Sequence, residues 1–96
     1  MIKPPALLSQ RQLKTAIKTL WNEGSVTVLP HARKRMGTRH MTFQDIHHIL
    51  WYGRLVDHSI PEGVWRYKIQ GQTLNNQKGS CVVEIQETLI IVTVID

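Results

Sequence analysis

From Arg54 to Ile95 the chain reads RLVDHSI (54–60), PEG (61–63), VWRYKIQGQ (64–72), TLNNQKG (73–79), SCVVEIQ (80–86), ET (87–88) and LIIVTVI (89–95). The pieces at 54–60, 64–72, 80–86 and 89–95 alternate apolar and polar side chains, or are largely apolar, which fits the two-residue period of a pleated strand. They predict strands over Arg54–Ile60, Val64–Gln72, Ser80–Gln86 and Leu89–Ile95. The breaks are Pro61-Glu62-Gly63, Asn75-Asn76-Gln77-Lys78-Gly79 and Glu87-Thr88. Connections this short permit hairpins, whereas a parallel crossover needs a dozen or more residues. A four-stranded antiparallel meander follows. Leu89–Ile95 is apolar on both faces except at Thr93, the pattern of a central strand covered by helices.

Upstream of Arg54 the period changes to 3.6. Ser9 with Gln12 fits a capping box, and Leu13, Ala16, Ile17, Leu20 and Trp21 form one apolar stripe that Gly24 ends. Arg11, Lys14 and Lys18 project elsewhere on that helix, into solvent. Ser25–Leu29 is short and β-branched, a further strand closed by Pro30. His31–Gly37 reads as a short helix. Thr42 and Asp45 cap a third helix, with Met41 and Ile46 as its hydrophobic staple and Phe43, Ile46, Ile49 and Leu50 as its buried stripe. The expected architecture is α+β, with helices first and the sheet after. One domain spans residues 1–96, and residues 1–8 form a proline-stiffened lead.

Composition narrows the function. Ninety-six residues suffice for one small domain, and 42% apolar content argues against wholesale disorder. The formal charge of +5 is unevenly spread. Residues 1–44 carry eight basic side chains against Glu23 alone, a balance of +7, while residues 45–96 carry four against six acids. No apolar run approaches the roughly 18 residues of a membrane span, and Pro4-Pro5 interrupts the place where a signal peptide begins its apolar run. A cytoplasmic protein is the default expectation. The single cysteine, Cys81, rules out an internal disulfide and a tetrathiolate zinc site.

Candidate chemistry lies in two basic elements. In His31–His40 there are four fixed positive charges, two histidines and no acid. Helical spacing puts Arg35 with Ala32 and Met36, toward the body of the protein, and leaves Arg33 and Lys34 solvated. A guanidinium so placed must be paired or must line an anion site. His31 follows Pro30 at a strand-to-helix junction. The charges of Arg33 and Arg35 favour its neutral form, suited to a general base, while a capping or hydrogen-bonded structural histidine is the plainer alternative. In Val64–Gln70, alternation puts Arg66 and Lys68 on one strand face and Trp65 and Tyr67 on the other, with the apolar core. Adjacent like charges suit a bound polyanion, and they equally suit an ordinary solvated face.

Other chemistries find little here. His47 and His48 point about 100° apart on a helix and cannot jointly grip one ion. His40 and His47 lack a third ligand. There is no glycine-rich nucleotide-binding fingerprint, no P-loop and no nucleophile elbow. Asp57 and Glu62 show no paired-carboxylate logic. No cofactor or metal is expected.

The pattern H-A-R-K-R-M-G-x-R-H-M-T-x-x-D-I from His31 to Ile46, followed by Arg66-Tyr67-Lys68-Ile69-x-Gly71 and the closing Ile90–Ile95 strand, resembles a group of small bacterial domains sharing an H-A-x-x-R-M helix motif. Their layout is similar to the RelE/ParE-like toxin superfamily, including the MqsR-type messenger-RNA interferases. The resemblance covers about residues 25–96. It implies a RelE-like fold and a toxin-type, metal-independent endoribonuclease, in which the RNA 2′-hydroxyl attacks its own phosphodiester. It also implies RNA, including ribosome-associated RNA, and a cognate antitoxin as partners. Matching the motif selects His31, Arg35, Arg39, Arg66, Tyr67 and Thr93. On that reading His31 is the base or acid, Arg35 and Arg66 clamp phosphate, Lys68 is an auxiliary cation, and Arg39 and Thr93 join Lys68 in binding RNA phosphate. Tyr67 is the acid only if it faces the site, against the alternation. The chain ends at Asp96 without the long basic extension of many RelE-like toxins, which weakens the expectation of ribosome dependence. A non-catalytic RNA- or protein-binding module of the same fold is the alternative.

Overall fold

Ser9 and Thr42 start two helices by the same device. Ser9 Oγ accepts from the Gln12 N–H at 3.2 Å while the Gln12 side chain accepts from the Ser9 N–H at 2.9 Å, opening α1 (Gln10–Asn22). Thr42 Oγ1 accepts from the Asp45 N–H at 3.1 Å and Asp45 Oδ2 accepts from the Thr42 N–H at 2.9 Å, opening α3 (Phe43–Tyr52). Between them lie a short strand, β1 (Val26–Val28), and α2 (Pro30–Thr38). Pro30 occupies the first helical position, where a missing N–H costs nothing. Four more strands follow: β2 (Arg54–Ser59), β3 (Arg66–Gln72), β4 (Lys78–Ile85) and β5 (Leu89–Ile95). The structure, a computed structural model, describes residues 6–95. Pro4, Pro5 and Asp96 therefore lie outside the described residues. Of the expected lead, residues 1–5 also lie outside them, while the Leu8 N–H is tied to the Tyr67 hydroxyl at 3.1 Å.

The α+β class and the order of helices before sheet are as expected. The sheet includes the short strand expected at 25–29 as a fifth, in the order β1-β5-β4-β3-β2. It differs in being mixed, because β1 runs parallel to β5 while the other pairs are antiparallel. Everything between β1 and β5 supplies the crossover that a parallel pair needs. Short hairpin connections constrain neighbours in sequence and say nothing of a strand sixty residues away.

All three helices pack on one face of this sheet. Leu13 and Ile17 from α1, Ala32 from α2, and Ile46, Ile49 and Leu50 from α3 join one core with Tyr67, Ile69, Cys81, Val83, Leu89, Ile91 and Val94. The opposite face of β5, carrying Ile90, Thr93 and Ile95, is only half-buried among the described residues. Helices therefore cover one face of this central strand, against the expectation of cover on both.

Two close contacts seat α3. A Cβ on Gly53 would lie 2.6 Å from the Gln70 carbonyl oxygen, and one on Gly71 would lie 3.0 Å from Gly53 Cα. The helix end and β3 thus approach backbone to backbone, which only glycine allows. Lys14, expected in solvent, instead donates to the last carbonyls of α3, Leu50 O at 2.6 Å and Trp51 O at 2.9 Å. A cation there satisfies orphan acceptors and opposes the negative helix end. Phe43, expected in the buried stripe, is 43% exposed and stacks on Trp21 with centroids 4.6 Å apart. Among the described residues no helix is long and apolar enough to cross a membrane.

Candidate nucleic-acid interface

Cross-strand partners share a sheet face, so the register maps the uncovered side row by row. One row runs Ser59, Arg66, Glu84, Ile90 and Thr27. The next runs Asp57, Lys68, Val82 and Thr93, and a third runs Arg54, Gln70, Ser80 and Ile95. Irregularities between Leu55 and Asp57 and between Val82 and Val83 keep these rows in phase. The structure thus brings Arg66 and Lys68 onto one face, as alternation expected, and its register adds Thr93 to that face.

Arg66 is not a bare cation. Its Nε donates to Glu84 Oε2 at 2.8 Å, and Gln86 Nε2 donates to Glu84 Oε1 at 2.9 Å. The Glu84 side chain is 12% exposed and that of Arg66 is 37% exposed. Among the described residues only Nε is engaged, so toward them the two terminal nitrogens of the guanidinium keep their donors. Lys68 makes no hydrogen bond or ion pair among the described residues. Two cavities flank Arg66. The larger, about 300 Å³, has Leu29, Val64 and Ile90 as apolar wall and Glu84 and Gln86 on its polar side. The smaller, about 120 Å³, lies over Lys68, Asp57 and Val82.

The remaining predicted residues lie elsewhere. Tyr67 points to the helix-bearing face, is 2% exposed and accepts from the Leu8 N–H. His31 stands exposed in the first turn of α2 and lines neither cavity beside Arg66. Arg35 is half-buried, with its Nε buried and without a hydrogen-bond partner among the described residues. Arg39 follows the last turn of α2 and lines a separate cavity with His40, Asp45 and Lys78. Because α2 packs on the helix-bearing face and Arg66 projects from the other, the sheet stands between them. Neither His31 nor Arg35 lines a cavity with Arg66, so the anticipated site of the three does not form in either cavity. Helical spacing had turned Arg35 inward correctly; which side of the sheet that inward direction faced was a tertiary fact.

Glu84 and Gln86 are the residues that sequence reasoning missed. Alternation could have put Glu84 in phase with Val82, but its partner lies 18 residues away and needed the β3–β4 register. The two helix histidines have structural places. His47 stacks on Trp51 at 4.1 Å, and His48 Nδ1 bonds the Gln72 carbonyl at 2.7 Å. Among the described residues no three His, Cys, Asp or Glu side chains are grouped to hold a metal.

Comparison with curated proteins and with solved structures finds no match for either. A family model does match, over residues 28–96, which includes β1's last residue, α2, α3 and the four antiparallel strands. Over that span the chain belongs to the family described as a domain of unknown function, DUF4258.

Proposed function

We propose that the uncovered sheet face binds single-stranded RNA, with Lys68 and a free guanidinium nitrogen of Arg66 contacting phosphate. The observation that carries this reading is the placement of Arg66, Lys68 and Thr93 in adjacent rows of one open face, beside two concavities. Arg66 and Lys68 are two residues apart along β3, about 7 Å, so both can follow one backbone. Thr93, flanking Val82 opposite Lys68, adds a hydroxyl donor to the same row. The resemblance to RelE/ParE-like toxins supports RNA as the polyanion.

The finer reading is a toxin-type endoribonuclease of RelE-like fold, acting without metal and held by an antitoxin. On this face Glu84, bound to Arg66, would take the acid–base part that the resemblance gave to His31. The binding role stands ahead of it, since Tyr67 is buried on the helix-bearing face and His31 lines neither cavity beside Arg66.

Fluorescence anisotropy with a labelled single-stranded RNA in EDTA tests the proposal. Affinity should fall steeply between about 50 and 200 mM salt, and Lys68→Ala should reduce the log–log salt slope by roughly one. Equal slopes for wild type and Lys68→Ala would remove Lys68 from the interface. Products ending in 2′,3′-cyclic phosphate, lost in Glu84→Gln, would establish the endoribonuclease.

A further inference from the structure

The cavity beside Arg66 differs in character from the rest of the open face. Its walls are apolar, from Leu29, Val64, Ile90 and Pro61, and its charged groups are Arg66, Glu84 and Glu62. One cation against two carboxylates disfavours a phosphate inside this cavity, so phosphate contact by Arg66 belongs to its Lys68 side and one terminal guanidinium nitrogen is left for the cavity. Its volume of about 300 Å³ sits at the small end of ligand sites, about 300–1,000 Å³. An apolar-walled cavity with a few fixed polar groups suits an unstacked nucleobase.

The polar groups then choose among bases. Glu84 is held at both oxygens, by Arg66 Nε and Gln86 Nε2, and each oxygen keeps a further lone pair. A carboxylate so fixed accepts from two adjacent N–H donors. Guanine offers such a pair, N1–H with N2–H, and its O6 beside them can accept from the terminal nitrogen of Arg66 left for the cavity. Adenine and cytosine each present a ring-nitrogen lone pair beside one amino group, which the carboxylate repels. Uracil presents one N–H between two carbonyls. We infer that the Leu29–Arg66–Glu84–Ile90 cavity is a guanine-selective base pocket, with Glu84 reading the N1–H and N2–H edge. It rests on the reading of the open face as an RNA-binding surface, with Lys68 in the neighbouring row taking the attached phosphate.

The test is a methyl-NMR titration of the whole protein with guanosine, inosine, adenosine and cytidine 5′-monophosphates. Guanosine monophosphate should shift the methyl signals of Leu29, Val64 and Ile90 and bind at least about tenfold more tightly than the adenosine compound. Inosine, lacking the N2 amino group, should fall between them. Glu84→Gln should abolish the preference, and the nucleotide series on wild type decides the matter if that variant does not fold. Equal binding of all four nucleotides, shifts confined to other regions, or stronger binding of free arginine in this cavity would overturn the assignment. The RNA reading fails separately. Single-stranded RNA bound with a Lys68-dependent salt slope but no guanine preference sinks the pocket alone. Guanosine seated in the cavity with no Lys68-dependent RNA binding sinks the RNA surface alone.

Discussion

Asp45 joins two parts of the fold, and its removal has a calculable cost. Its Oδ2 accepts from the Thr42 N–H at 2.9 Å and the Thr42 hydroxyl at 3.0 Å, and its Oδ1 accepts from the Leu74 N–H at 3.0 Å. It is therefore both the return half of the α3 capping box and the tie from that helix to the β3–β4 loop. The residue is 8% exposed. Hydrogen bonds to charged groups are worth about 1.5–3 kcal/mol each, and a lost capping group about 1 kcal/mol. Asp45→Ala should then destabilise by about 2–4 kcal/mol, lowering Tm by about 10–25 °C in a domain of this size. The loss should depend on pH. Burial pulls the Asp45 carboxyl up, but the N–H groups of Thr42 and Leu74, the Thr42 hydroxyl and the nearby His48 outweigh it, leaving the carboxyl below its ordinary value. A carboxyl depressed in the folded state contributes stability above its unfolded pKa and loses it as pH falls through the folded value. Thermal unfolding followed by circular dichroism at about pH 7 and about pH 2.5 should show the gap between wild type and Asp45→Ala narrowing in acid. A Tm difference under about 3 °C at neutral pH, or one that does not shrink in acid, would refute the reasoning.

Two further outcomes follow from the packing. Lys14→Met should cost about 1–3 kcal/mol in urea denaturation, because the Leu50 and Trp51 carbonyls lose their donor; Lys18→Met, whose ammonium lies 5.7 Å from the Trp51 ring, should cost under about 1 kcal/mol. Cys81 is fully buried and burial pushes its thiol up to about 12, so a thiol reagent at about pH 8, where a fraction on the order of 10⁻⁴ is thiolate, should label it only in denaturant. Rapid labelling of the native protein would show that β4 opens locally.

Local chemistry was legible wherever the interacting residues are near in sequence. Ser9 with Gln12 and Thr42 with Asp45 are capping boxes in the structure as in the pattern, because a cap closes within one helical turn. The assignment of Arg66 and Lys68 to one strand face and Tyr67 to the other also held, since alternation is a property of the extended backbone alone. Lys14 was misplaced because the acceptors it reaches lie 36 and 37 residues along the chain. Phe43 sat in the right helical phase, yet it marks the edge of the helix layer, and no period reports where a layer ends.

The same division separates the two accounts of the site. By itself, the sequence determined that this chain is a helix-then-strand domain with a basic first half and two cations on one face of β3, since repeat period, caps and charge are local properties. Only tertiary structure decided that β1 joins β5 in parallel, that all the helices take one face, and that Arg66 meets Glu84 rather than His31. Those outcomes depend on register and on which side of a sheet each helix settles. Both are set by burying one continuous apolar surface from segments far apart in the chain.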